Sequence, residues 1–127
     1  MFRAVWRWAG AYRRTDKNIG VSWALIPQQV ALLVGDVGYW VEHQVYPPDE
    51  IAVRVHHRAV LIHPFANGNG RHTRLLADLL VESLGGGVFT WGLNLGLSPG
   101  PLRGAYIAAL RAADAGEIDD LLRFAKA

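Results

Sequence analysis

The chain contains no cysteine. A disulfide framework and a thiolate zinc site are therefore both excluded. No uninterrupted apolar run reaches the length that spans a membrane. The N-terminal stretch Met1-Phe2-Arg3-Ala4-Val5-Trp6-Arg7-Trp8 alternates Arg with aromatic residues. It lacks the apolar core and small-residue cleavage site of a secretory signal, so a cytoplasmic location is the default expectation. An excess of one charge is also missing. Thirteen Lys and Arg face eleven Asp and Glu, giving a formal net charge of +2. The pI of about 9.3 is basic, but so small a net charge does not argue for direct nucleic-acid binding. Internal repeats, low-complexity tracts and long linkers are absent as well.

What the sequence has is apolar mass. Its 127 residues are 51% hydrophobic. That suits a single domain over residues 1–127, large enough to bury a core without covalent staples. Five Trp add a heavy aromatic load, expected in the core rather than stacked on a ligand. Phe2 to Ala9 reads as a short amphipathic helix stopped by Gly10. Asp16, Asn18 and Gly20 are turn formers, so residues 15 to 26 are a candidate hairpin. Pro27 suits a helix start, and Gln28 to Val45 continues it, although Gly35 and Gly38 weaken that assignment. Pro48-Asp49-Glu50 opens another helix with acidic residues suited to its dipole. Ile51, Val55, Ala59 and Ile62 lie near one face of that helix.

His63 to Asn69 reads as a loop. Gly70 to Leu84 is the clearest helix, with Leu75, Leu76, Leu79 and Leu80 as its expected core stripe, and Gly85-Gly86-Gly87 ends it. Pro101 to Ala113 and Ile118 to Ala125 complete a mainly helical chain.

One segment carries chemistry: His63-Pro64-Phe65-Ala66-Asn67-Gly68-Asn69-Gly70-Arg71-His72-Thr73-Arg74. The turn Gly68-Asn69-Gly70 is free to take positive φ. Its N–H groups, with those at the start of the next helix, then form a concavity suited to a phosphate group. Arg71 and Arg74 are three apart in the first helical turn and share a face. Two cations there oppose the helix dipole, so an anion explains them better than local stability does. Arg74 is equally spaced to pair with Asp78 at i+4. His63, across the loop, is placed to accept a proton from an attacking hydroxyl. Base, anion cradle and paired arginines are the parts of a phosphoryl-type transfer. His56, His57 and His72 are read as structural, and His43 as exposed. Arg3, Arg7, Arg13, Arg14 and Lys17 are read as a solvated basic face.

This segment resembles the Fic motif, His-x-Phe-x-(Asp/Glu)-Gly-Asn-Gly-Arg-x-x-Arg, at His63, Phe65, Gly68, Asn69, Gly70, Arg71 and Arg74. Val5 to Gly10 with Lys17 to Gly20, Arg103 to Tyr106, and Asp114 to Phe124 resemble other parts of the family. The nearest subgroup is the one called mobile mystery protein B, found on bacterial mobile elements. The resemblance implies a helical bundle with a small β-hairpin flap. It implies transfer of AMP from ATP to a Ser, Thr or Tyr hydroxyl of a target protein. His63 would be the general base, and Gly68, Asn69, Gly70, Arg71 and Arg74 would hold the phosphates, with Arg74 nearest the γ-phosphate. Phe65 would anchor the loop. Lys17, Asn18, Ile19, Gly20 and Val21 would form the flap that docks the target as an added strand.

Two departures stand out. Asn67 replaces the acidic residue that in the family holds Mg²⁺, and a neutral oxygen is the weaker ligand. An impaired nucleotide-binding or protein-interaction module is therefore the alternative reading. The family's inhibitory Ser/Thr-x-x-x-Glu-Gly/Asn element is not in this sequence. Inhibition is then expected from a segment upstream of it or from a separate, antitoxin-like protein.

Overall fold

A computed structural model describes residues 12–16, 20–65 and 68–127. Five helices follow in order: α1 Ile26–Glu42, α2 Pro48–Ile62, α3 Asn69–Ser83, α4 Pro99–Asp114 and α5 Asp119–Lys126. The architecture is mainly α, a helical bundle with α2 at its centre, packed on α1, α3 and α5.

Helix α1 begins through Pro27, whose fixed φ suits a first turn. It buries Ile26, Val30, Leu33 and Val37, spaced four, three and four residues apart. Gly35 and Gly38 sit where an added Cβ would meet no atom within 4 Å. Each lowers helix stability by roughly 1 kcal/mol relative to Ala, and the buried stripe offsets that. Helix α2 carries Asp49 and Glu50 in its first turn, and Glu50 accepts from Arg54 one turn on at 2.8 Å. It buries the expected Ile51, Val55, Ala59 and Ile62, and also Ala52, Val53 and His56. A helix covered on so many sides is the core element of the bundle.

Three expectations are corrected. First, no strand occurs among the described residues, so the hairpin expected over residues 15 to 26 is absent from the part described. The backbone hydrogen bonds go elsewhere. The Arg13 N–H donates to the Pro64 carbonyl at 2.8 Å, and the Trp23 N–H donates to the Asp16 carboxylate at 2.8 Å. Trp23–Leu25 then coils into a 3-10 turn that runs directly into α1. Lys17, Asn18 and Ile19, and the helix expected over Phe2 to Ala9, lie outside the described residues. Second, the buried line of α3 is Thr73, Ala77, Leu80 and Val81, with Leu75, Leu76 and Leu79 only half-buried. The small Ala77, fully buried, takes a core position where the leucine stripe was expected. Third, Trp23 is 44% exposed, while Trp40 and Trp91 lie at the edge of the core rather than within it.

After α3 the chain reverses at Gly85-Gly86. A Cβ on Gly86 would lie 2.5 Å from both Asp49 Oδ1 and Val81 Cγ2, so no larger residue fits. The N–H groups of Thr90 and Trp91 bond the Ala125 carbonyl at 2.8 and 3.0 Å, tying this segment to α5. Among the described residues no helix is long and apolar enough to cross a membrane.

Candidate functional site

Helix α2 ends at His63, which adopts φ 52° and ψ 62°. The left-handed region is unusual for a residue with a Cβ and stores a small strain. Pro64 contributes, because the residue before a proline is excluded from right-handed helix. Arg13 holds the resulting geometry. Its Nε donates to the His63 carbonyl at 2.6 Å, Nη1 to the Thr15 carbonyl at 2.8 Å, and Nη2 to the carbonyls of Val21 and Ile62 at 2.5 and 3.3 Å. Arg13 is only 4% exposed, so these carbonyls replace the water that its charge gives up. Its assignment to a solvated basic face is therefore wrong. Nothing in the residue types separates Arg13 from its exposed neighbour Arg14; the difference is tertiary.

Gly20 packs onto the same corner with φ +90°. A Cβ there would fall 2.5 Å from His63 Cβ and 2.9 Å from the Ile62 carbonyl oxygen. Val21 donates its N–H to the Ile62 carbonyl at 3.4 Å. The described end of the flap segment thus lies against His63.

Across the loop, α3 starts from Gly68, whose φ of 72° requires glycine. Gly70 does not take positive φ; it is already helical, and a Cβ on it would crowd Arg74 Nη1 at 3.1 Å. Its smallness makes room for that guanidinium. Asn69 is buried, and its amide closes the loop in a ring. Oδ1 accepts from the Phe65 N–H at 2.9 Å, while Nδ2 donates to the Phe65 carbonyl at 2.8 Å and reaches His63 Nε2 at 3.1 Å. These bonds leave Nδ2 only as a donor toward His63, which marks Nε2 as the nitrogen carrying a lone pair. The side chain of Asn69 is thus committed to the loop. Thr73 Oγ1 back-bonds the Asn69 and Gly70 carbonyls at 2.8 and 3.1 Å and tightens the same turn. Phe65 is buried against the rings of Tyr12 and His72. Asn67 lies outside the described residues.

Arg71 is exposed and Arg74 half-buried. Asp78, the i+4 candidate for Arg74, instead accepts from the Trp91 indole N–H at 2.8 Å. Burial raises the Asp78 pKa, against that bond and the Arg74 charge. The Arg74 guanidinium carbon stands 5.6 Å from the centre of the Tyr106 ring. Together Arg74, Trp91, Leu102, Arg103, Tyr106 and Phe124 line an open cleft of about 460 Å³. Behind it, His56 is fully buried, and its Nε2 is 2.7 Å from the Tyr106 hydroxyl. Burial pushes the His56 pKa down to about 4. The site therefore combines a histidine with an acceptor ring nitrogen, a glycine turn at a helix N-terminus, a half-buried arginine and a cleft beside it. The sequence singled out His63, Gly68, Asn69 and Arg74 and marked His56 as structural, but gave no sign that Arg13 is buried, that the Asn69 side chain reaches His63, or that His56 pairs with Tyr106.

The Fic/DOC family pattern matches residues 1–81 of this chain. A protein adenylyltransferase, fic-1, of Caenorhabditis briggsae is 29% identical over 119 residues, covering 91% of this chain and 22% of that protein. The protein adenylyltransferase Fic of Drosophila melanogaster is 31% identical over 118 residues, covering 91% and 23%. The solved structure of Fic-1 from C. elegans superposes with a TM-score of 0.67 at 28% identity, covering 91% of this chain and 33% of that one. A Fic-domain signalling protein from Bacteroides thetaiotaomicron shares the fold with a TM-score of 0.73 at 19% identity, covering 90% and 48%. The chain spans less than a quarter of the length of these curated relatives. With more than half of its residues inside the family pattern, the chain belongs to the Fic/DOC family.

Proposed function

We propose that this domain transfers AMP from ATP to a hydroxyl group of a target protein. The observation that carries the reading is His63 Nε2, held as an acceptor by Asn69 across the turn that opens α3. In this reading the phosphates rest on the N–H groups following Gly68, with Arg71 and Arg74 as cationic clamps. A target hydroxyl displaces the Asn69 amide from the Nε2 lone pair and gives up its proton there. Its oxygen bonds to the α-phosphorus, and the bond to the leaving pyrophosphate breaks. The adenylyltransferase names of the relatives support the choice of AMP.

The target would approach over Gly20 and Val21, which lie against His63. Val21 has both backbone groups engaged, by Ile62 and Arg13, so an added strand must pair with other residues of the flap. No group of three or more His, Asp or Glu residues gathers to hold a metal among the described residues. Mg²⁺ needs few protein ligands, and here it is read as arriving with the phosphates of ATP, with Asn67 as a weak protein ligand.

The test is His63→Ala, assayed with ATP labelled at the α-phosphorus in a cell lysate, with nucleotide affinity measured alongside. A base acts on the attacking hydroxyl and is not needed for ground-state binding. Labelling is expected to fall by two orders of magnitude or more, roughly the usual contribution of a general base, with affinity unchanged. Labelling that survives His63→Ala, or an equal loss of affinity, sinks this assignment.

A further inference from the structure

We propose that Tyr106, held by the buried His56, is the positioning residue that sets where the Arg74 guanidinium points and so how tightly the distal phosphates of ATP are gripped. The proposal rests on the reading of Arg74 as a phosphate clamp.

A long cationic side chain beside an open cleft has many rotamers, and fixing one costs entropy. Here three neighbours narrow the choice. On one side Gly70 leaves space that any Cβ would close, with Arg74 Nη1 3.1 Å from where that atom would be. On the other the guanidinium faces the Tyr106 ring at 5.6 Å, within cation–π range. The carboxylate that would draw Arg74 back along its own helix, Asp78, is engaged by Trp91.

The Tyr106 ring is itself fixed from behind. Its hydroxyl is 2.7 Å from His56 Nε2. His56 has 0% exposure, and its ring packs on Trp91 and Tyr106 with centroids 4.7 and 5.8 Å apart. The hydrogen positions follow from charge. A guanidinium beside a phenol attracts the oxygen lone pairs and repels its hydrogen. The hydrogen is therefore given to His56 Nε2, which must be the unprotonated nitrogen of a neutral ring. Burial keeps that ring neutral, in agreement with its lowered pKa. The line His56, Tyr106, Arg74 thus runs from α2 through α4 to the first turns of α3 and ends at the site. A histidine that only filled space here would be replaced by an apolar residue at lower cost, so its bond to Tyr106 is the reason offered for its burial.

Affinities for ATP and AMP, measured calorimetrically on the intact chain, provide the test. The proteins are wild type, Arg74→Ala, Tyr106→Phe, His56→Gln and the double variant of the last two. Tyr106→Phe keeps the ring and removes only the hydroxyl. It is expected to weaken ATP binding roughly three- to ten-fold, the range of one hydrogen bond. AMP, which lacks the distal phosphates, should bind as before. His56→Gln should shift ATP affinity in the same direction. Adding it to Tyr106→Phe should have little further effect, because the two act in series. A purely structural role would lower both affinities alike, or lower thermal stability alone, and either result overturns the proposal. If His56→Gln fails to fold, Tyr106→Phe decides by itself. Arg74→Ala separates the two levels of the argument. An ATP-selective loss in Arg74→Ala without one in Tyr106→Phe rejects the positioning role only. No ATP-selective loss in Arg74→Ala rejects the clamp reading and this proposal together.

Discussion

Asn69 shows how one side chain serves both fold and chemistry. Its amide satisfies the N–H and the carbonyl of Phe65 and still reaches His63. Asn69→Ala leaves both Phe65 groups buried without those partners. The expected destabilisation is roughly 1–3 kcal/mol, read as a shift in the denaturant midpoint. Transfer should fall further than the loss of folded protein explains, because Nε2 also loses the contact that defines its tautomer. A variant of unchanged stability and rate would show that the ring of hydrogen bonds contributes nothing. Among standard side chains only glutamine carries the same groups, and it sets them one methylene further from the backbone. An aspartate in its place would have no donor for Nε2 or for the Phe65 carbonyl.

At the scale of elements, the packing of α2 against α3 and α4 encloses His56 and makes stability depend on pH. The folded-state pKa is pushed down to about 4, chiefly by burial, with the Thr73 carbonyl opposing and the charges of Arg74 and His57 adding to the shift. An unfolded histidine titrates near 6.5. The folded state therefore binds fewer protons between these values. This contribution is fully present above about pH 6.5 and is lost as pH falls toward 4. Its size is about 3 kcal/mol over that window. Denaturant midpoints at pH 7.5 and 4.5 measure it, and His56→Gln should flatten the dependence. An equal slope in both proteins would assign the effect to other groups.

The helices were largely legible in the sequence because Pro27, Pro48 and the glycine run at 85–87 punctuate them and apolar periodicity fills them. The hairpin over residues 15 to 26 was not. Asp16, Asn18 and Gly20 are turn formers in any context, but among the described residues Val21 bonds the end of α2 and Trp23 bonds the Asp16 carboxylate, with no strand pairing. Burial of Arg13 escaped for the same reason. Its acceptors are carbonyls, which every sequence has, so no residue type announces them. Leu75, Leu76 and Leu79 misled in the opposite direction, since periodicity gives a face but not the angle at which a neighbour meets it.

Among the described residues, α2 is largely buried, the half-buried His63 stands at its end with Gly20 laid against it, and a cleft opens beside Arg74. In the proposed reading a nucleotide lies along the start of α3 and the target protein enters from the side of Gly20. Asn67 leaves a binding module as the competing account, because a neutral residue at that position anchors cation-borne charge less well. Which phosphorus is attacked separates AMP transfer from other phosphoryl transfers, and labelled ATP reads it out. The protein is incubated with a cell lysate and, in parallel reactions, ATP labelled at the α- or the γ-phosphorus, and covalent label on protein is counted for wild type and His63→Ala. The account predicts label from the α-position alone, with pyrophosphate released, and its loss in His63→Ala. Label from the γ-position that depends on His63 would contradict it, and so would nucleotide binding with no label from either.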